Sequence, residues 1–156
     1  MNPCRCVHAD DANLACHRLP LCWQEYLGKL SGPLLDRFDM RIDVPPVALS
    51  TMMSEKNGED SQTISARVTH AHEVQLARQN CLNARLDGDA LRKIASPDAA
   101  GQKLLDQIIA EDRLTARGFN RVLRVPRTLA DLNQRAYPDA QDMASALLWR
   151  GLEASF

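Results

Sequence analysis

Aromatic residues are scarce, 4% of the chain, so no core of stacked rings is available and Leu, Ile, Val and Ala must fill the interior. That palette suits packed helices better than sandwiches. An excess of charge is lacking too. Nineteen Lys and Arg stand against 20 Asp and Glu, and a net charge of -1 excludes a chain-wide electrostatic case for binding nucleic acid or membrane. Any such role is local. No stretch approaches the roughly 18 consecutive apolar residues of a membrane span. The start, MNPCRCVHADD, has no apolar signal-peptide core, and a cytoplasmic location is expected. There is no internal repeat and no low-complexity run. What is present, 156 residues of which 45% are hydrophobic and 25% charged, suffices for one real core.

Three zones differ in texture. Residues 1 to about 30 hold Cys4, Cys6, Cys16 and Cys22 with His8 and His17, and their lack of periodicity predicts a loop. In residues 31–50, Met40, Ile42 and Val44 alternate with Arg41 and Asp43 before Pro45 and Pro46, which predicts a short strand without sheet neighbours. The polar stretch SEKNGED reads as a linker.

From Ser61 onward the pattern is helical. Ile64, Val68 and Ala71 recur at helical spacing up to about Asn80, and a short helix fits Asp87 to Ile94 around Leu91. Ser96-Pro97 is a helix-start signal, after which Leu104, Leu105, Ile108 and Ile109 form one apolar face. Thr115 can cap the next helix. There Phe119, Val122, Leu123, Leu129 and Ala130 fall on one side, with Arg113, Arg117, Arg121, Arg124 and Arg127 on the other. Pro126 within it is expected to kink the helix or end it early. A last helix begins at Asp139 after Pro138 and buries Met143, Ala146 and Leu147.

Chemistry has three candidate locations. Cys4 and Cys6 have a spacing that can grip one Zn2+, with Cys16, His17 and Cys22 to close a tetrahedron; unligated thiols are the plain alternative. The arginine stripe after Thr115 is either a solvated face or a surface for phosphates. Arg37, between Asp36 and Asp39, reads locally as a surface side chain paired to its neighbours.

The segments MNPC, SGPLLDRFD, QLARQNCLNARL and LTARGFNRVLRVPRTLADL, taken together, resemble the C-terminal part of the magnesium-chelatase-like AAA+ ATPases of the ComM (YifB) type, over nearly the whole chain. The resemblance implies a mainly α fold. It consists of a helical AAA+ lid bundle over residues 59–156, preceded over residues 1–58 by a truncated remnant of the α/β nucleotide-binding domain with a Cys-rich insertion. It implies ATP and Mg2+ as cofactors of the complete protein, a hexameric ring, DNA as partner and branch migration as activity. It places Asn2 at a first sensor position, Arg37 as an arginine finger toward the neighbouring subunit's ATP, and Arg117 as a second sensor. It also makes Cys4, Cys6, Cys16 and Cys22 a zinc-type insertion, with Val7 where the family has Gly. The porphyrin-metallating branch is disfavoured by that insertion. The sequence has no GxxxxGK[ST] phosphate loop and no acidic magnesium-binding strand, so this chain alone is expected not to hydrolyse ATP. The alternative is a free-standing helical adaptor, with or without zinc, that binds DNA or protein through its arginine face.

Overall fold

A computed structural model describes residues 17–18, 20–44, 47, 53, 58–111 and 114–151, without the side chains of Trp23, Leu27, Ala116 and Arg117. All regular structure among the described residues is helical. Phe38 and the described residues before it, with Asp43 and Val44, make one unit; Asp39–Ile42 and the described residues from Val47 on make the other.

The first unit holds two short helices, α1 (Leu21–Leu27) and α2 (Gly32–Leu35). The loop expectation for residues 1 to about 30 is corrected at α1, which is only seven residues long and so too short to reveal a period. A bidentate pair from Arg18 to Glu25, at 2.9 and 3.1 Å, spans its start. Ser31 caps α2, and Pro33 sits in its first turn, where its missing N–H costs nothing. The expected strand at Met40 to Val44 is absent, because no strand lies beside it among the described residues. Met40, Ile42 and Val44 are exposed.

In the second unit, helix starts are set by side-chain oxygens that accept otherwise orphaned N–H groups. Helix α3 (Ser61–Gln79) is capped by Asp60, which accepts from the Thr63 N–H at 2.8 Å, and it ends at Asn80 in the left-handed region, φ 56°. A 3-10 turn (Asn83–Arg85) leads to α4 (Gly88–Ile94). Gly88 at φ +56° opens α4 in a conformation that side chains resist. Helix α5 (Ala99–Ala110) begins after Asp98, whose carboxylate takes the Gly101 N–H at 2.7 Å, so the start lies two residues beyond the Ser96-Pro97 signal. Thr115 caps α6 (Ala116–Leu132) through the Gly118 N–H at 2.9 Å, as its sequence position predicts. Asp139 and Asp142 form a reciprocal capping box at the head of α7 (Ala140–Arg150).

Helix α6 is central, packed against α3, the 3-10 turn, α4 and α7, while α5 packs on α7. The core joins Leu86, Leu91 and Ala95 to Leu105 and Ile108 of α5, Val122 and Leu123 of α6, and Met143 and Leu147 of α7. Gly101 lies where a Cβ would come within 2.9 Å of the Pro97 Cβ and 3.4 Å of the Asp139 carbonyl. Beside it the Asp98 N–H donates to the Pro138 carbonyl at 3.0 Å, so the heads of α5 and α7 are drawn together.

The helical spacing from Ser61 to about Asn80 is borne out by α3. Pro126 does not end α6, which runs on to Leu132. The ring is fully buried, and the Thr128 hydroxyl donates to the Arg124 carbonyl at 2.9 Å, bracing the same stretch of helix. On α3, Ile64 and Val68 are 41% and 38% exposed, and burial begins only at Ala71. Ile109 of the α5 face is likewise half-exposed, whereas Ile108 is fully buried. That contrast gives a test: Ile108→Ala is expected to cost about 2–5 kcal/mol in a denaturant titration, whereas Ile109→Ala should cost about 1 or less.

Candidate functional site

Arg37 stands at the end of a self-contained turn. Ser31 accepts the N–H groups of Leu34 and Leu35 with its carbonyl, at 2.9 and 3.0 Å, and its hydroxyl takes the Leu34 N–H at 3.4 Å. The Arg37 N–H then closes on the Leu34 carbonyl at 3.0 Å, and Phe38 on Leu35 at 3.2 Å. The SGPLLDRF sequence therefore folds on itself through local bonds, with the Arg37 side chain exposed. Asp39, one candidate surface partner of Arg37, is held instead at 2.9 Å by Arg121.

Arg117 is the second residue of α6, just inside the Thr115 cap. Asn2, Cys4, Cys6 and Cys16 lie outside the described residues. Cys22 is half-buried on α1, and His17 is exposed. No group of three or more His, Cys, Asp or Glu that would hold a metal occurs among the described residues, which leaves the zinc expectation without support there.

The arginine stripe is corrected most strongly. Three of its five members are spent inside the protein. Arg121 binds Asp39, and Arg124 donates to the Leu86 carbonyl at 2.9 and 2.7 Å and to Asp87 at 2.9 Å. Arg127, 1% exposed, donates to Asp131 at 2.6 Å and to the carbonyls of Arg135 and Ala136 at 2.9 and 2.6 Å. A helix with neighbours on several sides cannot leave a polar stripe in solvent, and the stripe becomes internal wiring. An adaptor that binds through this face loses these three cations.

The wiring converges on Asp131, whose carboxylate is fully buried. Arg78 of α3 grips it with two bonds, at 2.6 and 2.9 Å. Asn83 donates to it at 2.8 Å and to the Thr128 hydroxyl at 3.1 Å. Asn83 in turn accepts from Arg78 and Gln79, at 3.1 and 2.8 Å, while its N–H reaches the Gln75 side chain at 2.9 Å. Periodicity alone passes over this network. Its signal in the sequence is that Gln75 and Arg78 continue, in steps of four and three, the inward stripe begun by Ala71.

Burial pushes the Asp131 pKa up, but hydrogen bonds from Arg78, Asn83 and Arg127, with the Arg127 charge, outweigh it and hold the carboxyl below its ordinary 3.8. A lowered native pKa adds stability that is complete above the unfolded value and is lost as pH falls below it. Asp142 has the opposite sign. Burial raises its pKa above 3.8 despite Arg135 at 2.6 Å, so its charged form weighs against the fold at neutral pH and that cost fades as pH drops. Asp131→Ala is expected to cost about 3–5 kcal/mol at pH 7, because it strands Arg127 in the interior. The variant should also lose the part of acid destabilisation below pH 3.8 that Asp131 carries, as urea titrations at several pH values would show.

Comparison with known proteins places these motifs in a family. Residues 58–150 match the family described as magnesium chelatase, subunit ChlI C-terminal, and residues 1–52 match magnesium chelatase, subunit ChlI. A protein of Salmonella typhimurium named Uncharacterized protein YifB is 34% identical over 155 residues, 98% of this chain and 30% of that protein. Uncharacterized protein Mb2921c of Mycobacterium bovis is 35% identical over 153 residues, 96% of this chain and 30% of its own length. Competence protein ComM of Haemophilus influenzae is 30% identical over 128 residues, 81% of this chain and 25% of that protein. The chain thus spans less than a third of the length of these curated relatives. With its helical bundle matched over most of its length, the chain belongs to the magnesium chelatase ChlI family and carries that family's C-terminal region.

Proposed function

We propose that this chain is the sensing and lid portion of an ATP-driven AAA+ motor, completed by the phosphate cradle and magnesium ligands of a longer protein. Arg37 is the finger presented to a neighbouring subunit's ATP in a hexameric ring, Arg117 the sensor within its own subunit, and Asn2 the first sensor. The domain division at residues 58 and 59 belongs to the same reading. The observation that carries it is the locally closed SGPLLDRF turn, which leaves the Arg37 side chain exposed. A planar guanidinium there can pair with two oxygens of a γ-phosphoryl group and offset charge that develops at transfer. Arg117, in the first turn of the central helix, moves with the lid as one body. Membership of the ChlI family and the likeness to a protein named for competence favour DNA, and branch migration on it, as the motor's work. No helix of the described residues is long and apolar enough to cross a membrane.

The two arginines separate in kinetics. In the full-length protein, Arg37→Ala should leave nucleotide binding nearly intact and lower turnover about 10³-fold or more, because its contact forms mainly as charge develops. Arg117→Ala should weaken binding in its own subunit as well. Steady-state ATPase rates beside fluorescent-nucleotide titrations read both. Arg37→Ala turnover at the wild-type rate returns Arg37 to an ordinary surface side chain.

A further inference from the structure

The segment that follows Arg37 is gripped by the helical body at two separate points. Asp39 accepts from Arg121 of α6 at 2.9 Å. Two residues on, the Arg41 N–H donates to the Trp149 carbonyl at 2.7 Å, and the Arg41 guanidinium donates to the Arg150 carbonyl at the end of α7. A Cβ at Gly151 would stand 3.0 Å from that guanidinium, so a residue with φ +72° and no side chain leaves room for it. Asp39 and Arg41 make the attachments, while Met40 and Ile42 remain 45% and 63% exposed. Because α6 and α7 pack on each other, the two anchors fix the direction of Asp39–Ile42 as well as its position.

Along the chain, the boundary between the two units falls between Phe38 and Asp39. Asp39 thus belongs to the body of α6, and Arg37 is two peptide units away, at most about 7 Å of extended chain. Arg121 is also one helical turn after Arg117 on α6. Whatever displaces the head of α6 displaces Arg121 and, through the ion pair, Asp39, the second residue after Arg37 in the chain.

We propose that Asp39 and Arg121 are positioning residues, and that their ion pair couples the nucleotide state sensed at Arg117 in one subunit to the placement of Arg37 in the neighbour's site. The proposal rests on the assignment of those two arginines above. Their role is to position the finger rather than to bind nucleotide. The Asp39 side chain is 48% exposed and that of Arg121 20%, so Asp39→Asn breaks the pair at its more exposed member, and a thermal melt beside the kinetics separates signal from stability. The coupling is reciprocal: closure around a subunit's own nucleotide and placement of the finger that serves the next subunit bias each other.

The test uses the full-length protein. Asp39→Asn is expected to lower ATP turnover roughly three- to tenfold while leaving nucleotide affinity within about twofold of wild type. The exchanged pair Asp39→Arg with Arg121→Asp should recover most of that loss, a rescue that damaged packing does not give. In mixed assemblies, subunits that combine Asp39→Asn with an inactivated phosphate loop should depress turnover by wild-type neighbours more than subunits with the inactivated loop alone. Asp39→Asn turnover at the wild-type rate, beside an inert Arg37→Ala, overturns the coupling and leaves the finger standing. Active Arg37→Ala overturns both. A defect confined to the subunit that carries Asp39→Asn marks local structural damage and also overturns the coupling.

Discussion

The carboxylate of Asp131 is the point on which the helical body is aligned. A bare charge in that position is prohibitive, since removing an ion from water costs several kcal/mol even after relaxation. It is tolerated because Arg78, Arg127 and Asn83 converge on it from α3, α6 and the turn between α3 and α4. Each of those groups is fixed in turn, Arg127 by the carbonyls that follow α6 and Asn83 by Gln75, Gln79 and Thr128. Such a network is poor evidence of net stability, because apolar side chains of the same volume often do as well. Its contribution here is geometric: a one-turn slip of α6 against α3 leaves several buried donors without acceptors.

This alignment explains why the segments most characteristic of the sequence, around Asn83–Leu86 and Arg124–Asp131, carry so many polar groups without forming a reaction centre. Asn83, Leu86, Arg124, Arg127, Thr128 and Asp131 bond mainly to one another or to nearby backbone. They hold the central helix, and the central helix carries Arg117 at its head and Arg121 one turn later. In these two segments, the recognisable polar residues are spent on holding the helices in register.

Local signals carried the fold well. Thr115 and Asp139 cap the helices their positions predict, and Met143, Ala146 and Leu147 are buried as their spacing requires. Caps and apolar periods act within one turn of chain and need no partner to be read. Failures came where a distant element decides the outcome. Arg124 and Arg127 lie on the polar side of a helical projection, yet they are drawn inward by Leu86 and Asp131, and no projection of one helix contains its neighbours. Pro126 was legible as a residue that kinks or ends a helix, and α6 does not end there. The cysteine cluster falls largely outside the described residues, and the exposed Arg37 turn is local enough that the motif marks it.

Helix α3 is held over only part of its length. From Ala71 onward it is clamped by Gln75 and Arg78, whereas all ten residues from Ser61 to His70 are exposed. Ten residues at 1.5 Å each give a free arm of about 15 Å. Mechanically this is a cantilever: a tilt of about 10° at the clamp carries the tip through roughly 2.6 Å, the rise of nearly two helical residues. The apolar edge of Ile64 and Val68 rides on that arm, so a tilt at the clamp is magnified most at these side chains.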